Sequence, residues 1–173
     1  DVCSSDLDLH GQPNGWSSRG FVLAFIPLLF AGVTVLVRGL VLASPEQFSM
    51  PNSRKSLDQT MGGIGLLLLG VHAGLVFGPL GWVDMPRALS FGFALFLLVV
   101  GNVLGKTERN FFVGIRLPWT LASDSNWLAT HRFAGRGMVL AGILLGVITF
   151  AHASLVLAVV ALTAPIAAAV VYS

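Results

Sequence analysis

The sequence predicts an all-α fold, a bundle of transmembrane helices, on three observations. Hydrophobic residues make up 55% of the chain and charged residues only 10%. The mean hydropathy is +0.83. So few polar side chains cannot cover a water-soluble globule. The apolar residues also gather in long runs between short polar segments, and we expect these runs to face lipid.

Five runs are long enough, or nearly so, to span a bilayer, which takes roughly 20 residues of helix. The first is uninterrupted by charge until Arg38, and the second and third are separated by the tight connection at 84–86. The fourth and fifth are shorter and meet near residue 153, so both pairs are expected to be antiparallel hairpins. The predicted helices, one to five, cover 20–43, 61–83, 87–104, 135–152 and 154–172.

The basic residues near the span ends predict the orientation. If successive helices alternate in direction, eight Lys or Arg residues lie on one side of the membrane and only Arg19 and Arg87 on the other. We therefore expect 44–60, 105–134 and the carboxyl terminus to be cytoplasmic. Trp16 and Trp82 are then expected at the outer interface, and Trp119 and Trp127 at the inner one. The eight residues are Arg38, Arg54, Lys55, Lys106, Arg109, Arg116, Arg132 and Arg136.

The amino-terminal residues divide into two parts. Residues 1–7, DVCSSDL, resemble a translated sequencing adapter and are interpreted as a cloning or sequencing scar, which is excluded from fold reasoning. Residues 8–20 are predicted to form an outer loop, because turn-forming residues precede an aromatic residue there: Gly11, Pro13, Asn14, Gly15 and Trp16. A chain that begins in an outer loop lacks at least one preceding helix, so we expect six spans in the intact protein.

The polar and aromatic segment 101–136 holds five of the ten Lys and Arg residues. Pro118 disfavours helical backbone at Leu117 and suits the first turn of a helix, which predicts a break between them. Beyond it, Ser123 or Asp124 could cap a second short helix that lies in the membrane interface. That helix would carry Trp127 and His131 as adjacent i, i+4 neighbours. Composition alone favours a simple topological anchor.

Two stretches of this segment resemble a known family. They are NFFVGIRLPWTL, from residue 110 to 121, and W-x-x-T-H-R, from 127 to 132. Together they resemble the SdpI-like membrane immunity-protein family, which usually has Thr at 117, Pro at 109 and Glu at 124, where this chain has Leu117, Arg109 and Asp124. The resemblance marks these candidates for partner binding: Asn110, Gly114, Ile115, Arg116, Pro118, Trp119, Thr120, Trp127, Thr130, His131 and Arg132.

The resemblance implies a multi-pass protein of the bacterial plasma membrane. Such a protein gives immunity to a secreted membrane-active peptide toxin met outside, and it can recruit a transcriptional repressor inside; it needs no cofactor and no direct contact with nucleic acid. The implied organisation is a remnant of a preceding domain over 8–60 and a four-helix SdpI-like domain over 61–173, with the cytoplasmic loop 105–134. A small transporter or channel subunit and an envelope structural protein remain alternatives.

Polar residues and glycines within the apolar runs give further expectations. His72, near the centre of helix two, and Asn102, near the inner end of helix three, are costly in lipid. For His72, a structural hydrogen bond and a proton-linked or ligand role are both open, and a transporter would use the two residues to line a path. Gly70, Gly74 and Gly78 recur at four-residue spacing, which predicts close helix packing.

Catalytic and metal-binding patterns are not found in the sequence. It has no H-E-x-x-H, no G-x-S-x-G and no paired intramembrane carboxylates. Its four histidines are scattered over sites that the predicted topology separates. We therefore expect neither an enzyme nor a metal site.

Overall fold

A computed structural model describes residues 2–7, 13–43, 51–109, 114–151 and 155–173. Two antiparallel strands come first and are followed by six helices. In chain order the elements are β1 (Val2–Leu7), β2 (Pro13–Ser18), α1 (Arg19–Ala43), α2 (Pro51–Phe77), α3 (Met85–Leu104), α4 (Pro118–Ala122), α5 (Asp124–Ala151) and α6 (Leu155–Tyr172).

Four of these helices are long and apolar enough to cross a membrane, namely α1, α2 from Arg54 onward, α3 and α5. Helix α6 is shorter, with 18 residues. At 1.5 Å per residue α6 is about 27 Å long, close to the ~30 Å thickness of the hydrocarbon core. The predicted fold class, a polytopic helix bundle, is confirmed.

Helix α3 lies at the centre of the bundle. It packs along α2 on one side and along α5 on another, while α6 packs against α5 and α3, and α1 lies against α2. The buried core is formed where α3, α5 and α6 meet, and its members are Ala94, Leu97, Val100, Leu104, Ala134, Met138, Leu145 and Ala169. This packing fixes the position of the loop that joins α3 to α5.

Glycines set the closest approaches between helices. A Cβ atom on Gly101 would lie 2.8 Å from the carbonyl oxygen of Gly135, and one on Gly135 would lie 2.6 Å from the carbonyl oxygen of Gly101. The backbones of α3 and α5 therefore touch at this pair. On α2, a Cβ atom on Gly70 would lie 2.9 Å from the carbonyl oxygen of Ala88. Close packing, the predicted role of the α2 glycines, is thus confirmed for Gly70.

The other glycines of the predicted stripe differ from each other. Gly74 faces the side chain of Met85 at the start of α3. Gly78 lies beyond the end of α2, in the turn that leads to α3, and the stripe does not extend to it. Helix α2 ends at Phe77 rather than at residue 83. Pro79 lies in the turn, and Gly81 there has a φ of +71°, which is not a helical conformation.

Helix α2 also begins ten residues before the predicted start, at Pro51. The first turns of α2 are polar, so a helix start predicted from hydropathy alone falls after them. Asp58 consequently lies on a helix rather than in a loop, and its carboxylate pairs with Arg38 of α1 at 2.7 Å. Both side chains are largely exposed, so the pair contributes little stability but joins the two helices at one end.

Helix α5 differs most from the expectation. It begins at Asp124, eleven residues before the predicted start, and runs without a break to Ala151. The predicted separate interfacial helix is therefore wrong, since Trp127 and His131 lie in the first turns of α5. Its 28 residues make a rod about 42 Å long, which exceeds the ~30 Å hydrocarbon core.

The amino-terminal segment is a strand pair rather than a simple outer loop. Pro13 and Gly15 lie in β2 and pair with Leu7 and Asp6 of β1. The turn predicted over 11–15 is therefore wrong for 13–15, while Gly11 and Gln12 lie outside the described residues. The interpretation of 1–7 as a scar stays a prediction.

Candidate functional site

The loop between α3 and α5 turns sharply where α3 ends. The hydroxyl of Thr107, which is buried, donates to the carbonyl oxygen of Leu104 at 2.7 Å. The carbonyl oxygen of Thr107 in turn accepts a 2.9 Å hydrogen bond from the indole Nε1–H of Trp127. Trp127 is fully buried, and this bond satisfies its only polar atom.

His131 lies one turn after Trp127 and is equally buried. Its Nδ1 is 2.7 Å from the carbonyl oxygen of Trp127, and its Nε2 accepts a 2.8 Å hydrogen bond from the backbone N–H of Ile115. A carbonyl can only accept and an amide N–H can only donate, so the proton of this imidazole is on Nδ1. The His131 ring also stacks on Trp127, with centroids 3.9 Å apart and planes at 20°.

Gly114 is required by this stack for two reasons. Its φ is +129°, a conformation that side chains other than glycine rarely adopt. A Cβ atom there would also press on Nε2 of His131 and lie 2.9 Å from Cη2 of Trp127. The loop can therefore lie flat on the two rings only with glycine at this position.

Thr120 fastens the next part of the loop. Its buried hydroxyl lies 2.8 Å from the carbonyl oxygen of Ile115 and 3.0 Å from that of Leu117, and it accepts the N–H of Leu117 at 2.9 Å. Leu117 is extended, with φ −99° and ψ 153°, and Pro118 begins α4. The predicted break between them is confirmed. We call Gly114, Thr120, Trp127 and His131 the motif cluster.

The carboxyl-terminal end of α6 is attached to the same region. The indole Nε1–H of Trp119 donates to Oγ of Ser173 at 2.8 Å, and the amide of Asn126 donates to the Ser173 carbonyl oxygen at 3.2 Å. Phe133 and Tyr172 stack with ring centroids 4.7 Å apart. The end of α6 thus lies at the same end of the bundle as the loop, as the predicted topology requires.

Arg109 and Asp124 are paired across the loop. The guanidinium Nε of Arg109 lies 3.0 Å from a carboxylate oxygen of Asp124, and its Nη1 donates to the carbonyl oxygen of Leu121 at 2.7 Å. At both positions the resemblance described above implies a different residue, Pro at 109 and Glu at 124. The two departures are therefore in direct contact and form one exposed ion pair that closes the loop over α4.

The candidate residues separate into a buried set and an exposed set. Thr120, Trp127, Thr130 and His131 are fully buried. Trp127 is therefore covered by protein rather than by lipid, and its place at the depth of the inner interface stays a prediction. The exposed candidates are Arg116, Pro118, Trp119 and Arg132, with Gly114 and Ile115 half-buried and Asn110 outside the described residues.

Three residues of this region were not among the sequence candidates. They are Thr107, which accepts from Trp127, Asn126, which bonds Ser173, and Ser173 itself. Asn126 lies two residues after Asp124, one of the two predicted helix caps. No local pattern marks Thr107 or Ser173, because their partners are distant along the chain.

The two intramembrane polar candidates are far apart. Nδ1 of His72 is buried and has no hydrogen-bond partner among the described residues, and the ring lines a cavity of about 130 Å³ between α1 and α2. Gly70 packs against Ala88, near the start of α3. His72, two residues after Gly70, therefore lies beside the start of α3 along the bundle axis. Asn102 is fourteen residues further along α3, about 21 Å away. A common path lined by the two residues is therefore not favoured.

The described residues also include His, Cys, Asp and Glu side chains, the usual protein ligands of metal ions. No group of three or more His, Cys, Asp or Glu side chains there could hold a metal ion.

Comparison with known proteins shows what this site is similar to. Residues 106–173 match the SdpI/YfhL protein family. Residues 106–173 are SdpI-like. Over 68 residues the chain is 32% identical to the immunity protein SdpI of Bacillus subtilis (strain 168). The aligned region covers 39% of this chain and 33% of that protein. The matched part of the chain thus corresponds to a third of the relative. No solved structure matches the chain.

The SdpI-like part contains the whole motif cluster together with α4, α5 and α6. Helix α3 lies just before it and supplies the surface on which α5 packs. The predicted SdpI resemblance is confirmed. Among the residues on which that prediction was based, five hold the loop to α5, namely Gly114, Ile115, Thr120, Trp127 and His131.

Proposed function

We propose that the protein is a membrane immunity protein that protects a bacterial cell from a secreted membrane-active peptide toxin. The SdpI-like match over residues 106–173, to a protein named for immunity, supports the proposal. So do the four helices of membrane-spanning length, since a toxin that attacks the bilayer is met there.

The observation that carries the proposal is the way in which Ile115 is held. Its N–H donates to His131 and its carbonyl oxygen accepts from Thr120, and both of these side chains are buried. The backbone next to Arg116 is therefore fixed, and Arg116 is exposed. A fixed, exposed arginine is suited to recognise a partner, because little conformational entropy is lost on binding.

For the two membrane sides we propose a division of labour. The loop-bearing end is cytoplasmic in this proposal, in keeping with the charge asymmetry of the sequence, and Arg116, Trp119 and Arg132 are the surface for a transcriptional repressor. The opposite end would meet the toxin. There the indole of Trp82 is 75% exposed and stacks on Phe77 with ring centroids 5.9 Å apart.

A survival assay tests the proposal. A sensitive bacterium that expresses the chain is exposed to a panel of membrane-active peptide toxins and compared with an empty-vector strain. We expect protection that Trp82→Ala reduces at unchanged protein level, because Trp82 lies at the end assigned to the toxin, and that Arg116→Ala leaves intact. The matched control is Arg54→Ala, which removes an exposed arginine from α2, and it should leave protection intact.

The outcomes are distinct. Survival no better than the empty vector against every toxin would refute immunity as the function. Equal protection by the wild type and Trp82→Ala would refute the toxin-facing role given to Trp82. Repressor recruitment is measured separately, by whether a cytoplasmic transcription factor co-purifies with the wild type and not with Arg116→Ala.

A further inference from the structure

The loop-bearing ends of α3 and α5 bring four exposed polar residues together. Asn102 and Lys106 come from α3 and the residues that follow it, and Arg132 and Arg136 come from α5. The Nζ of Lys106 donates to the side-chain oxygen of Asn102 at 2.9 Å. A Cβ atom on Gly105 would lie 3.5 Å from Cα of Arg132, so the two pairs are neighbours.

Each of these residues belongs to a stripe, a row of side chains that runs along one side of its helix. The stripe on α3 and the stripe on α5 lie on the same side of the α3–α5 pair. Phe91 precedes Asn102 by eleven residues, about three helical turns, and Phe150 follows Arg136 by fourteen, about four turns. Phe91 and Phe150 meet edge to face with centroids 5.1 Å apart. Because each phenylalanine shares a stripe with one of the polar residues, their contact places both stripes on the same side.

Among the described residues, the cations of this face are not seen in ion pairs. Across the described ranges, ion pairs are seen for Arg38, Arg87 and Arg109, whereas no ion pair of Lys106, Arg132 or Arg136 is seen. Three neighbouring positive charges repel each other unless an anion lies among them. The positive charge of this face therefore favours a bound anion.

Between the cations and the aromatic pair the same face is apolar and open. Leu95 is 44% exposed and Ile143 is 50% exposed, each seven residues from the polar end of its stripe. Phe150, at the far end, is 79% exposed. From Arg136 to Phe150 the strip is about 21 Å long, more than half of the ~30 Å hydrocarbon core.

We propose that this face binds one anionic glycerophospholipid. Its phosphate lies among Lys106, Arg132 and Arg136, and its acyl chains follow Leu95 and Ile143 toward the two phenylalanines. An acidic protein would match the charges but not the continuous apolar strip, which faces the hydrocarbon of the membrane. A lipid carries both features in one molecule, and basic residues at the membrane surface attract anionic headgroups.

A competition measurement tests the proposal. The full chain is purified in a non-ionic detergent and mixed with equimolar phosphatidylglycerol and phosphatidylcholine of equal chain length, and the lipids retained are counted by native mass spectrometry. We expect a preference for phosphatidylglycerol of about tenfold, given the attraction of each cation for an anionic headgroup. In the triple variant K106Q/R132Q/R136Q the preference should fall to near unity.

Two controls keep the result interpretable. The variant R19Q/R54Q/K55Q removes the same charge elsewhere and should retain the preference, and K106R/R132K/R136K keeps the charges and should retain it as well. A wild-type preference near unity would overturn the proposal. An equal loss in both glutamine variants would overturn it as well, because net charge alone would then explain the preference. Displacement of the lipid by glycerol phosphate would indicate a bare phosphate site, and displacement by polyglutamate would indicate an acidic protein; either result would overturn the proposal.

Discussion

The imidazole of His131 and the backbone amide of Ile115 are joined by a 2.8 Å hydrogen bond that spans sixteen positions of the sequence. The bond fixes the loop onto α5 from a buried side chain. It also explains why a histidine of the family pattern can matter without touching a ligand.

His131→Phe should therefore destabilise the protein although the ring stack on Trp127 can persist. The N–H of Ile115 loses its partner, and the carbonyl oxygen of Trp127 loses its second bond, the one to the imidazole. An unsatisfied buried polar group costs about 1–3 kcal/mol. Thermal unfolding in detergent measures the loss. An unchanged melting temperature would mean that the His131 bonds do not hold the loop.

Gly114→Ala should be more damaging, since the added methyl group meets both rings and the backbone has φ +129°. We expect a loss of at least about 2 kcal/mol, as overpacking and backbone strain combine. Gly62→Ala is the matched control, because a Cβ atom there has no neighbour within 4 Å. That change should be neutral or stabilising by up to about 1 kcal/mol. Similar melting temperatures for the two variants would contradict the geometry given for Gly114.

Thr120→Val should loosen the loop at constant side-chain volume. The hydroxyl that holds Ile115 and Leu117 is lost, and we expect destabilisation of about 1–3 kcal/mol. Thr120→Ser keeps the hydroxyl and should stay within about 1 kcal/mol of the wild type. The free energies of unfolding of both variants, measured with a chemical denaturant, distinguish the contribution of the hydroxyl from that of the methyl group. Equal losses of stability would show that packing, not the hydroxyl, is responsible.

Gly101→Ala should push α3 away from α5. The Cβ atom would lie 2.8 Å from the Gly135 carbonyl oxygen, a distance that only a helix shift relieves. The expected cost is about 1–3 kcal/mol. Gly32→Ala, at an open position of α1, serves as control. Cysteine cross-linking between α3 and α5 would reveal the altered spacing, and unaltered cross-linking with full stability would argue against backbone contact there.

Arg109 and Asp124 should show only weak coupling. Both side chains are substantially exposed, so a double-mutant cycle with Arg109→Gln and Asp124→Asn should give less than about 1 kcal/mol, and less still at high salt. Coupling that is large and insensitive to salt would show that the pair is shielded from solvent, for example by a bound partner.

The spans and the loop break were predictable because their causes are local. Helices α1 and α3 begin and end within two residues of the expected positions, since their ends coincide with changes in hydropathy. The break at Leu117 follows from Pro118 alone. Helices α2 and α5 begin about ten residues early, because their first turns are polar yet contain no residue that interrupts a helix.

The arrangement of the site was less accessible to sequence reasoning. The i, i+4 spacing predicted that Trp127 and His131 are adjacent, and they stack. Their burial was not predicted, because the groups that bond them come from Thr107 and Ile115, twenty and sixteen positions away. An aromatic residue in a basic loop resembles an interfacial anchor until the loop is seen to fold over it.

Helix α5 joins the motif cluster and the far side of the bundle in one unbroken rod. Trp127 lies near its start and Phe150 near its end. A rigid-body tilt of this helix would press the stacked rings against Gly114, which has no room for even a methyl group. A displacement at one end of the bundle would thus reach the other end without any bend in the helix.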